Sequence, residues 1–397
     1  MLRPTTESTV TAGPRPGPSS TPASGRPRLA ALDGLRFVAA MAVLAYHYVA
    51  VNHSAWGART EDSFPNLQPV AAFGSFGVQL FFVISGFVIL MSAWGRDVRA
   101  FTASRVGRLF PAYWLSVAAV VLLVVVVAPG HKDVGIPETA ANLTMVQRAF
   151  GVQDLESVYW TLWAELRFYV LVGLLLAVGM TRNRLLAFAA VWPVAAAIAV
   201  QSGSSLWSTV LVGTDAPLFA GGMVLFLLTR ERRSPVLWSV LGLNVALAGV
   251  ISGRSQSLRI ATSTDVTVGP QTYWVAILVC FALVAAVALT RLDRLSWGWL
   301  TLVGALTYPL YLLHSSWGQW LIGETSPYLP AAATFSLVTV VMLAVAYLVH
   351  CFVERPFGPR LRRAVARDLE RTSRAFGRGA AERRAAQAPE PEAVSSR

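Results

Sequence analysis

The chain has 397 residues, 55% of them hydrophobic and only 14% charged, where an ordinary soluble domain is about a quarter charged. Its net charge of +12 does not point to nucleic acid, because the basic residues lie between long apolar runs rather than on a polar domain of their own. Runs such as 114–128 and 276–290 are too long and uniform for half-buried strands and lack the short alternation of a closed barrel, so both of those classes are excluded.

Residues 1–29 are rich in Pro, Ser, Thr and Gly and contain no aromatic side chain, the composition of a disordered tail. The stretch 30–356 then carries about ten spans of the roughly 20 apolar residues that cross a bilayer. They lie near 31–51, 70–92, 110–128, 159–179, 185–200, 206–228, 236–252, 272–290, 298–316 and 329–353. The second and sixth contain glycines and are the least regular. The fold class these runs predict is all-α, a polytopic transmembrane helical bundle. Residues 357–397 are rich in Arg, Ala and Glu and read as a basic, largely disordered tail with a surface helix over about 359–376. Cys280 and Cys351 both fall inside spans, with no metal-ligand spacing and no neighbouring base. Arginine replaces lysine almost everywhere, Lys132 being the single lysine, a composition that points to a GC-rich bacterial genome.

Lys and Arg concentrate on the cytoplasmic side of membrane proteins. With the N-terminus placed inside, the inner segments hold 26 of the 33 basic residues and the outer loops hold 5. This predicts a multi-pass protein of the cell membrane with both termini cytoplasmic.

Ionisable residues inside spans are costly and mark function. Asp33, Arg36 and His47 lie in the first span, Glu165 and Arg167 in the fourth, Asp215 in the sixth and His314 in the ninth. Arg36 and His47 are separated by close to three helical turns, so both side chains share one face, about 16 Å apart along the axis. A histidine can take a proton from a hydroxyl at neutral pH, and an arginine can bind phosphate. The separation suits a long, thin donor with an anionic head, such as an acyl-pantetheine thioester. Glu165 is expected at the depth of His47, where a carboxylate would fix the imidazole tautomer. Asp215 and His314 are expected at the same outer level, forming with these a polar cavity. Arg105 and Arg108, in the inner loop before the third span, would share a face if helical and receive donor phosphates, or else only set topology. Taken alone, His314 reads first as a helix-to-helix hydrogen bond, and Asp215 as a partner of a nearby backbone or tyrosine. Tyr159, Trp160 and Trp163 read as an interfacial belt, and Glu354, Arg355 and Pro356 as a helix stop at the membrane edge.

Several stretches together resemble the acyltransferase-3 family of membrane acyltransferases. They are 32–36 (LDGLR) with 45–47 (AYH), 77–87 (GVQLFFVISGF), 105–114 (RVGRLFPAYW), 160–169 (WTLWAELRFY), 308–314 (YPLYLLH) and 354–356 (ERP). They run in order across the membrane part. The resemblance implies an enzyme that transfers acetyl or longer acyl groups, usually from acyl-CoA as co-substrate, to hydroxyls of sugars, glycans, lipids or natural products. It implies His47 as catalytic base, and Arg36, Arg105 and Arg108 as donor-handling residues. Thr161 stands where relatives often have serine, and Leu166 and Arg167 where an acidic and a neutral polar residue are common, which bears on the acceptor pocket formed with Asp215 and His314. The expected partners are the acyl-CoA donor, a hydroxylated acceptor and the lipid bilayer, with no nucleic acid, no metal and no bound cofactor. A proton-coupled secondary transporter is the alternative that intramembrane Arg, His, Glu and Asp also fit, and the absence of an internal repeat weighs against it.

Overall fold

Inside hydrocarbon, backbone N–H and C=O groups have only each other as partners, so an apolar chain crosses as helices. The computed structural model describes residues 30–57, 60–129, 134–295 and 297–386, and among them every regular element is helical. Ten apolar helices succeed one another. They are α1 (Ala30–Ala50), α2 (Gln68–Ala93), α3 (Val98–Val127), α4 (Tyr159–Ala177), α5 (Arg182–Gln201), α6 (Gly213–Leu228), α7 (Pro235–Ser263), α8 (Pro270–Leu289), α9 (Gly298–Leu313) and α10 (Ala331–Val349). Eight of these described segments are long and apolar enough to cross a membrane, and α6 and α9 are shorter. The expected tail 1–29 and residues 387–397 lie outside the described residues.

Three boundaries differ from expectation, each for a local reason. Helix α3 begins at Val98, more than three turns early, because the Asp97 carboxylate caps it by accepting from the Ala100 amide at 2.6 Å. Arg105 and Arg108 are therefore helical residues rather than loop residues. Helix α7 does not end near 252. A π turn at Ala248–Gly253 carries it on into Arg254–Ser263. Glu354, Arg355 and Pro356 are not a helix stop either. A π turn at His350–Glu354 leads directly into α11 (Arg355–Ala386). Pro356 follows directly on this π turn and does not end the helix.

The centre of the bundle is α2 against α6. Every residue of Ala216–Leu228 is buried, as expected of a helix that is apolar all round. Between helices in lipid, close backbone approach does the work that the hydrophobic effect does in water. A side chain on Gly86 would strike the Phe219 carbonyl, and one on Gly222 the Val83 carbonyl. Helix α1 lies on the other side of α2, with Gly77 of α2 against the Ala39 carbonyl, and it also packs on α9, with Gly304 against Asp33. Helix α11 runs against the start of α3 at Gly107 and Gly358. The order α6, α2, α1, α9 brings the polar residues of α1 between α2, α4 and α9.

Candidate active site

Helices α1 and α9 run side by side, and their far ends carry His47 and His314. His47 Nδ1 lies 3.0 Å from the Val43 carbonyl oxygen and 3.0 Å from His314 Nε2. His314 Nδ1 lies 2.9 Å from the Tyr311 carbonyl oxygen and 3.2 Å from that of Leu310. A carbonyl only accepts, so each Nδ1 carries the proton. His314 Nε2 therefore presents a lone pair to the Nδ1–H of His47, and the lone pair of His47 Nε2 is left facing away from the pair. His314 is buried, its backbone carbonyl accepts from Tyr48 Oη at 2.8 Å, and its ring is 5.7 Å from that of Tyr311. His47 is only half-buried, with the Tyr46 ring 5.1 Å away. The expected helix-to-helix bond of His314 is thus present, and its partner is the other candidate histidine.

Glu165 does not take the orienting position expected of it. Its carboxylate accepts from Ser85 Oγ at 3.2 Å and from Tyr169 Oη. The reason is register. Thr161 of α4 meets Tyr311 of α9, Oγ1 to Oη at 2.9 Å. Glu165 stands one turn from that contact toward the arginine-rich end, and His314 one turn the other way. Helical rise puts the two roughly 10 Å apart.

Glu165 instead faces Arg36. A narrow cavity of about 50 Å³ lies between them, lined also by Phe81, Ser85, Tyr308 and Tyr311. The charges of Arg108, Glu165 and Asp33 all act on Arg36. Arg105, one face of α3 away, is 8% exposed. Its Nη2 donates to Ser92 Oγ at 3.2 Å, and its guanidinium lies 5.6 Å from the Phe101 ring centre and 5.8 Å from that of Tyr169. Its Nε and Nη1 find no hydrogen-bond partner among the described residues. Leaving such donors unmade costs about 1–3 kcal/mol, a cost that an anionic ligand removes. Arg108, although i+3 from Arg105, is exposed; its charge is felt by Arg36 and Glu354.

The three residues expected in an acceptor pocket separate into two groups. His314 belongs to the histidine pair. Asp215, buried at the start of α6, has Thr214 Oγ1 at 3.5 Å and feels the charges of Arg259 and Arg167. Arg167 donates from Nε to the Trp163 carbonyl at 3.2 Å and from Nη1 to the Thr209 carbonyl, with its guanidinium 5.1 Å from the Trp163 ring centre. Those two carbonyl-bearing residues help to line a wide opening of about 640 Å³ with Arg148, Gln153, Asp154 and Ser157. Ser157 Oγ is 3.0 Å from the Oγ of Ser315, the residue after His314.

In the aromatic stretch of α4 Tyr159 is interior rather than part of a belt, while Trp160 and Trp163 are half-buried. Tyr159 is fully buried with its hydroxyl 2.6 Å from Ser116 Oγ, and Trp160 lies under the Arg259 guanidinium at 4.3 Å. Arg259 escaped the sequence reading because 253–271 passed for an outer loop. The spacing of Gln256, Arg259, Ile260 and Ser263, all on one helical face, was the available signal.

Residues 29–351 match the acyltransferase-3 family, whose defining unit is described as an acyltransferase domain. Searches of curated proteins and of solved structures find no match to the chain. The family match takes in all ten apolar helices, the paired histidines and the arginine cluster; the chain belongs to the acyltransferase-3 family and is a membrane acyltransferase.

Proposed function

We propose that the protein moves an acetyl or other short acyl group from acyl-CoA to a hydroxyl of a sugar, glycan or glycosylated natural product, with His47 as general base. The observation that carries this reading is the 3.0 Å contact from His47 Nδ1 to His314 Nε2. It leaves His47 Nε2 unprotonated and the ring held in one orientation, which is the condition a general base needs.

The acceptor hydroxyl gives its proton to His47 Nε2 as its oxygen attacks the thioester carbon. The tetrahedral intermediate collapses by breaking the C–S bond, and the thiolate takes the proton back from His47. While His47 is an imidazolium, its Nδ1–H bond to His314 becomes charge-assisted and stronger. Arg105 supplies its free N–H donors to the phosphates of the donor, with Arg36 and Arg108 beside it, since a guanidinium fork matches phosphate geometry. Glu165 supports this donor side by fixing Tyr169 and Ser85 opposite Arg36. The acceptor enters from the opposite end through the opening above Trp163, whose wall Arg167 braces, with Asp215 within reach of the Arg167 charge. Both tails then lie in the cytoplasm of a cell whose plasma membrane holds the enzyme, where acyl-CoA is available to the arginines.

Purified protein given isotope-labelled acetyl-CoA and a panel of glycosides tests this directly. Ester-linked label on a hydroxyl, with stoichiometric free CoA, is the expected result by mass spectrometry. An intact donor pool after incubation with every acceptor, together with transport of one of them in vesicles, would reject it in favour of a carrier.

A further inference from the structure

The reaction proposed above builds a negative oxygen on the thioester carbon, and neither histidine can neutralise it. We infer that Arg259 is a further catalytic residue, whose guanidinium stands where the acyl-donor cavity meets the histidine pair and holds that oxyanion. The inference rests on the acyl-transfer reading of the same site.

Arg259 is itself exposed, on a helical stripe whose neighbouring positions pack inward. Gln256 is buried and accepts from Gln79 Nε2 of α2 at 3.1 Å; Ile260 is fully buried; Ser263 Oγ lies 2.8 Å from Tyr46 Oη of α1. The Asn52 amide also donates to the Ser263 carbonyl at 2.9 Å. These contacts fix the far end of α7 across α1 and α2, and Arg259 lies on the same stripe. Its guanidinium is held 4.3 Å from the Trp160 ring centre on α4, a cation–π contact that orients it without neutralising it.

Its neighbours are those of the reacting atoms. The Arg259 charge acts on Tyr46, the residue before His47, and on Tyr311, whose ring flanks His314. Tyr311 also lines the donor cavity, and Phe82 of that cavity lies 6.1 Å from Trp160. Arg259 does not line the donor cavity itself; it stands over Trp160 at the cavity's outer end, with its charge felt by Tyr311 of the cavity and by Tyr46 beside the base. Among the described residues no carboxylate lies within ion-pairing distance of it. Asp215 feels its charge without making a contact pair. Of the other cations on this side, Arg167 is committed to the carbonyls of Trp163 and Thr209, and Arg148 is paired with Asp154.

A fixed cation beside a developing oxyanion acts in the transition state more than in the ground state. As the acceptor oxygen bonds to the acyl carbon and its proton passes to His47, the carbonyl π electrons move onto oxygen and are held by Arg259. They return when the C–S bond breaks and the thiolate takes the proton.

Arg259→Gln, purified and assayed for CoA thiol release from acetyl-CoA with methyl glucoside and with methyl glucuronide as acceptors, is the test. The expected result is a fall in kcat on the order of 10²–10³ with both acceptors, an unchanged KM for acetyl-CoA and partial recovery in Arg259→Lys. Trp160→Leu, which leaves the cation but removes its platform, should lose less than Arg259→Gln. Full kcat in folded Arg259→Gln overturns the inference, and so does a KM defect confined to the glucuronide, which would make Arg259 an anchor for anionic acceptors. Wild-type protein releasing thiol no faster than His47→Ala would instead sink the acyl-transfer reading itself.

Discussion

His314 Nε2 accepts from His47 Nδ1 across 3.0 Å, and His314 is itself fixed by two backbone carbonyls of its own helix. In the proposed mechanism an imidazole thereby does what a carboxylate does in the serine-hydrolase triads: it sets the tautomer of the base and steadies the charge that forms on it. His314→Ala should lower kcat about 10²-fold, the size of a misplaced catalytic group, with little change in KM. His314→Gln should recover part of this, because its side-chain oxygen can still accept from His47. An alanine variant that loses thermal stability but turns over normally per folded molecule would reduce His314 to packing.

Arg105 and Arg108 differ in burial although they share a face of α3. Arg105 has two buried donors without a partner among the described residues, whereas Arg108 is exposed. Arg105→Ala should therefore raise the KM for acyl-CoA by about tenfold or more, since a hydrogen bond to a charged group is worth about 1.5–3 kcal/mol. Arg108→Ala should raise it less, because solvent screens exposed charge. Lysine at 105 should restore only part, as it offers a point charge in place of a fork. Equal effects at the two positions, read from initial rates, would contradict the burial argument.

Much of this fold is legible in the sequence, because a hydrocarbon layer demands apolar runs of fixed length. The ten expected spans correspond one to one with α1–α10. What failed was polar sequence inside helices. The first turns of α3 carry Arg99, Arg105 and Arg108, and the end of α7 carries Arg254 and Arg259, so both read as loops. In the site, Arg36 and Glu165 stand out in the sequence as charges within apolar helices, but depth alone assigns Glu165 to His47. Depth counted in residues cannot show that Thr161 is the residue that meets Tyr311, which sets α4 against α9 and moves Glu165 to the arginine side. The pairing of His47 with His314 needed the contact between α1 and α9, which no local pattern encodes.

The centre of the bundle tolerates no side chain at two glycines. Gly86→Val and Gly222→Val should each destabilise the protein by about 1–3 kcal/mol or more, the usual cost of overpacking, since the colliding atoms are backbone carbonyls. Gly242→Ala, where a Cβ meets nothing within 4 Å, is the control and should leave the detergent melting temperature unchanged or raised. A melting temperature for Gly222→Val equal to the control would show that α2 and α6 do not pack as described.

The charge distribution predicts which side each loop occupies. Cysteines placed at Ala140, in the segment between α3 and α4, and at Ser373, in α11, both sit at exposed positions. An impermeant thiol reagent on intact cells should label position 140 and spare 373 until the membrane is opened. The opposite pattern would invert the orientation and put the arginine cluster outside.

The central claim is that His47 Nε2 removes the acceptor proton. The most direct measurement is the acyl-transfer rate of purified, folded His47→Ala with acetyl-CoA, without and with added imidazole. Loss of a general base costs about 10²–10⁴ in rate, so the variant should fall by that factor while still binding the donor. Free imidazole should restore a measurable part of the rate in proportion to its unprotonated fraction. A variant that keeps near-normal turnover, or that falls without any response to imidazole at any pH, would contradict the assignment of His47 as the base.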